Sequence, residues 1–118
     1  DRNRGGIRAA NADQRAAEAR LDQQRRDSEA ARLSAVAGLK AAGSRTRAAD
    51  ESVVAAEEAY RLARIGFDAG RISQLELRST RSALIAARGA AVDARLSRVG
   101  AEIDLARLEG RAPFVEAP

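Results

Sequence analysis

Residues 60–77 read YRLARIGFDAGRISQLEL, and this segment decides the fold. Gly66 and Gly70 bracket Phe67, Asp68 and Ala69, and a glycine just past a helix end supplies the left-handed conformation that stops the helix. Ser73 follows, with Glu76 three residues on, which is the spacing of a capping box that starts a new helix. Upstream, Ile7 to Phe67 contains no proline and, before Gly66, only Gly38 and Gly43 as glycines. That predicts one helix of roughly 60 residues, about 90 Å long at ~1.5 Å per residue. Downstream, the second helix runs to about Glu109 before Gly110 and Pro113 end it. The expected fold is all-α: a long antiparallel coiled-coil hairpin with unequal arms, helix 7–67, turn 68–72, helix 73–109. A polar, glycine-rich connector at 1–6 and a tail at 110–118 complete one hairpin unit over 1–118.

Composition supports helices and limits what they can enclose. Alanine supplies 29 residues and aromatic side chains only 3%, so thin helix-to-helix packing is available and a thick core is not. Basic and acidic residues number 21 and 17 but are interleaved, as in Asp22 to Arg26 and Glu57 to Arg64. Such interleaving marks solvated helix flanks rather than a nucleic-acid footprint. The absence of an initiator Met, a signal peptide and any apolar run near the ~20 residues of a membrane helix points to a piece of a larger protein that makes no membrane contact of its own.

Counting in sevens gives the expected seam. In the first arm Leu39, Thr46, Val53, Tyr60 and Phe67 recur, interleaved with Ala35, Ala42, Ala49, Ala56 and Ala63. In the second, Ile85, Val92, Val99 and Ala106 form one row and Leu75, Ser82, Gly89, Leu96 and Ile103 the other. Large residues on one arm then meet alanines on the other. A further row, Leu77, Leu84, Ala91 and Leu105, broken by Arg98, is left to face outward. The first arm also outruns the second over Ile7 to Ala30, where Ile7 and Leu21 are the only large apolar residues. Both features call for helices supplied from elsewhere.

Chemistry is sparse. With no His, Cys or Met there is no soft-metal site, no thiol and no imidazole base for Ser73, Ser79 or Ser82. The carboxylate neighbours Asp50 and Glu51, or Glu57 and Glu58, point apart on a helix. No enzyme, cofactor or resident metal is expected. A rod whose far end carries Asp68, Arg71 and Glu76 around the apolar Ile72 is instead suited to end-on docking against another helical hairpin.

The turn resembles the TolC-type outer-membrane factors, in particular the second periplasmic hairpin of their internal repeat. The resemblance rests on Phe67, Asp68, Ala69, Gly70, the tip Arg71, Ile72, Ser73, Gln74, the step Leu75, Glu76, Leu77, and the alanine-rich return over Arg81 to Ala94. DRNRGGI at Asp1 to Ile7 and AEIDLARLEGRAPF at Ala101 to Phe114 are similar to the entry and exit segments of the CzcC-like, cobalt-zinc-cadmium branch. The resemblance implies a trimer closing a twelve-helix periplasmic α-barrel, in a system with a periplasmic adaptor and an inner-membrane pump. It implies an adaptor-docking tip at Asp68, Gly70, Arg71, Ile72, Ser73 and Gln74, and an entrance carboxylate at Glu76. Ser79 stands where a second acidic residue often follows, and Phe67 replaces a tyrosine, so neither a double acidic ring nor a tyrosine latch is expected. The competing readings are the hairpin of an adaptor, whose arms are usually matched, and a generic coiled-coil scaffold.

Overall fold

The computed structural model describes residues 2–111; Asp1, Pro113, Phe114 and the rest of the tail lie outside the described residues. Two helices make up the fold, α1 over Arg2–Asp68 and α2 over Gln74–Leu108, running antiparallel from a five-residue turn. At ~1.5 Å per residue the 67 residues of α1 account for the molecule's longest dimension. The whole measures 101 × 34 × 13 Å. No described helix is long and apolar enough to cross a membrane.

The unequal arms expected from the sequence are present, 67 residues against 35. Helix α1 begins earlier than expected, because Arg2 to Gly6 are helical rather than a connector. Each interior glycine costs about 1 kcal/mol relative to alanine, but glycine keeps its N–H and does not break the ladder. Here Gly5 and Gly6 stand among the good helix formers Arg2, Arg4, Arg8, Ala9 and Ala10.

On α1 the seam carries Ala42, Thr46 and Ala63 as buried residues, with Leu39, Val53 and Tyr60 half-buried along the same strip. Phe67 is exposed, because it sits in the last turn of α1 and the first residue of α2 to be covered, Leu77, already lies below it. On α2 the expected seam is the wrong face. Ile85, Val92, Leu96 and Val99 are exposed, Leu75 is 77% exposed, and Ser82 and Gly89 are exposed with them. The row expected to be spare is the one that packs: Leu84, Ala91 and Leu105 are buried and Leu77 half-buried. Thr80, Ala87, Ala94 and Ala101 are half-buried beside them. Both faces of α2 carry apolar heptads, so period alone could not choose. The alanines on the chosen face let the backbones approach, and Thr46 Oγ1, which donates to its own helix at Ala42 O (2.9 Å), also reaches Ala94 O across the seam at 3.3 Å. Ile103 is half-buried and Ala106 is 2% exposed near the end of α2, where the 3.6-residue turn has drifted against the seven-residue count. Arg98 interrupts the packed row but stays exposed, its guanidinium on Glu102 (3.2 Å).

From Arg2 to Ala31 every residue of α1 is exposed, because α2 has ended. Leu108 of α2 shares a groove with Leu21, Ser28 and Arg32, which marks the limit of the paired part.

A Cβ added at Gly38 meets nothing within 4 Å, whereas Gly70 sits at φ +69°. Gly38→Ala should therefore stabilise the helix by ~0.5–1 kcal/mol, and Gly70→Ala should destabilise the hairpin by roughly 1–2 kcal/mol. Thermal unfolding followed by circular dichroism checks both signs. A loss of stability in Gly38→Ala would contradict the open space beside it.

Candidate docking tip

The tip is built by two interlocking caps. At the end of α1, Gly70 N donates to Phe67 O (2.9 Å) and Arg71 N to Gly66 O (2.8 Å), the paired bonds of a Schellman motif around a left-handed glycine. Gly66 therefore does not stop the helix, which continues through Asp68. Its lack of a side chain is used differently: a Cβ there would lie 3.4 Å from Ile72 Cγ2, so Ile72 folds back over α1. At the start of α2, Glu76 N donates to Ser73 Oγ (3.2 Å), and Ser73 N donates to Glu76 Oε2 (2.8 Å). The capping box read from the sequence is complete.

These caps decide which side chains are presented. Asp68, Gly70, Arg71, Ser73 and Gln74 are exposed at the apex. Ile72 is half-buried against Gly66, so it is a strut of the turn rather than the free apolar knob that its place in the sequence suggests. The apolar groups available at this end are Leu75, with Leu62, Ile65 and Phe67 on α1. Glu76 is exposed, yet its carboxylate is already engaged at the cap, so any part it plays in lining an entrance is played from a fixed position.

Below the apex a groove of about 430 Å³ opens between the helices, lined by the apolar Tyr60, Ile65 and Leu84 and by charges of both signs, Arg61, Arg64 and Arg88 with Glu57 and Asp68. Arg88 is tied to Glu57 across the helices at 2.9 Å, and Arg61 to Glu58 along α1 at 2.7 Å. The hydrogen bond from Arg61 holds the Glu58 carboxyl below its ordinary pKa, so this exposed pair is intact at neutral pH and is lost as the medium is acidified through the carboxylate range. Among the described residues no group of three acidic side chains converges on a metal position, and no buried polar side-chain atom lacks a partner. The arrangement can recognise another surface; it offers no aligned nucleophile and base.

Ser73→Ala removes one acceptor from the box and should cost about 1 kcal/mol, with helicity lost first in the opening turn of α2. Amide exchange at Glu76, whose N–H loses its acceptor, is the sensitive readout, and unchanged protection there would show that the cap contributes nothing.

No curated protein and no solved structure matched the chain. The family described as Outer membrane efflux protein matches residues 1–111, which takes in both helices and the tip. This is a family of transport channels rather than of enzymes. On that match, and with an unequal-armed hairpin in place, the chain belongs to the outer membrane efflux protein family.

Proposed function

We propose that the chain forms wall and tip of a trimeric periplasmic α-barrel in a TolC-type channel, and that its tip docks a periplasmic adaptor fed by an inner-membrane pump. The observation that carries this reading is the second apolar face of α2. Leu75, Ile85, Val92, Leu96 and Val99 repeat with the heptad on the side away from α1, and all are exposed. A two-helix rod has no use for such a face; a helix inside a closed wall has neighbours on both sides. The uncovered span Arg2 to Ala31 makes the same demand at the other end. Scale agrees: a compact monomer of 12.5 kDa would expose about 6,200 Å², and this chain exposes 9,448 Å².

The tip residues Asp68, Gly70, Arg71, Ile72, Ser73 and Gln74 meet the adaptor in this reading, with Ile72 acting through the shape of the turn and Leu75 adding apolar contact. Glu76 contributes one carboxylate per subunit to the entrance. The resemblance of Asp1 to Ile7 and Ala101 to Phe114 to the CzcC-like branch makes heavy-metal cations the cargo class. Cargo selection falls to the pump, since this segment has no His, Cys or Met. The arms differ by nearly a factor of two, which favours a channel hairpin over the matched arms of an adaptor.

Two experiments on the full-length protein test this. Gln74→Cys introduces the sole thiol in this segment and should crosslink in cells to a periplasmic adaptor; a correctly assembled channel that gives no such crosslink in the adaptor's presence would sink the docking role. Glu76→Gln keeps an N3 side chain able to close the capping box while removing the charge. It should lower the channel's preference for cations over anions, and unchanged selectivity would remove Glu76 from the entrance.

A further inference from the structure

The ion pairs that cross the hairpin lie on one flank and one heptad apart. Arg95 reaches Asp50 at 2.7 Å, and Arg88 reaches Glu57 at 2.9 Å. One heptad nearer the tip the same two rows bring Arg81 of α2 opposite Arg64 of α1. Among the described residues neither arginine has an acidic partner, although Asp68 stands one turn from Arg64. The flank thus changes from complementary to like-charged, and facing like charges in a coiled coil are destabilising. The change falls beside the groove that Arg64 lines with Tyr60, Ile65, Asp68 and Leu84; Arg81 stands outside that lining, one heptad tipward of Arg88.

We propose that this rung is completed in trans, by a helix of the docking partner that lays an acidic side chain between Arg64 and Arg81. The proposal rests on the docking-tip reading and adds the chemistry of the partner. Two guanidiniums meeting one carboxylate turn a repulsive pair into charge-assisted hydrogen bonds, and the planar fork of arginine suits the carboxylate. The occupant is a helix rather than a free anion, because the apolar part of the lining contributes nothing to a small hydrated ion yet accepts apolar residues one turn from the acid. The partner surface is therefore acidic with apolar residues at helical spacing.

The decisive variant is Arg81→Glu in the full-length channel. The introduced carboxylate would complete the ladder within the hairpin by pairing with Arg64, so folding is preserved and the melting temperature is unchanged or higher. Affinity for the purified adaptor should fall about tenfold, and the salt dependence of binding should flatten, since an attractive pair has been replaced by a self-satisfied one. Arg64→Glu should act in the same way, while Arg20→Glu on the uncovered shaft should bind like the unmodified channel. If Arg81→Glu binds within twofold of the unmodified channel while Gln74→Cys still crosslinks to the adaptor, the rung proposal is wrong and the docking reading stands. If the unmodified channel does not bind the adaptor and Gln74→Cys does not crosslink to it, the docking reading fails and takes this proposal with it. Crosslinking of Arg64→Cys to another copy of the channel chain, in place of the adaptor, would assign the rung to the barrel wall and overturn the proposal.

Discussion

The strip along which Leu84, Ala91 and Leu105 of α2 lie against Ala42, Thr46 and Ala63 of α1 is the contact on which the rest of the hairpin depends. It is narrow and built of small side chains, so its strength comes from length and close approach rather than from the burial of large groups. Every flank feature follows from it. Once Ala94 O stands within reach of Thr46 Oγ1, the register is set, and Asp50 faces Arg95 and Glu57 faces Arg88. Those exposed pairs add little free energy individually. They do oppose other registers, because a shift along the seam would break the rungs that are complementary.

Committing this face of α2 to α1 leaves the opposite face bare. Covering Leu84 and Ala91 means that Ile85, Val92, Leu96 and Val99 point the other way, and no rotation of α2 could bury both sets against a single partner. In the proposed barrel that bare face is where a second neighbour of α2 packs. The turn obeys the same economy: Gly66 gives up a side chain so that Ile72 can lie on α1, which leaves the apex to polar groups and Leu75.

Local chemistry made part of this legible from the chain alone. The left-handed Gly70 and the Ser73–Glu76 box are decided by residues within a few positions of each other, and both stand where the sequence put them. Helix type and the inequality of the arms were legible because proline is absent until Pro113 and alanine is everywhere. The working face of α2 was not legible, since two heptad rows of similar apolarity compete and only the facing helix can choose. Ile72 misleads for a related reason: its exposure depends on a contact with Gly66, six positions back, and the absence of a Cβ there was the available hint. The like-charged rung at Arg64 and Arg81 needs the register before it can be noticed at all.

The uncovered shaft of α1 has a mechanical consequence. A body 101 Å long, 34 Å wide and 13 Å thick is a long lever, so in the proposed barrel a slight tilt at the Arg2 end would become a wide sideways excursion at Gly70. Such a swing would need no hydrogen bond within the hairpin to break, since α1 is one continuous helix from Arg2 to Asp68. Two distant ends would in this way be coupled by a single continuous helix.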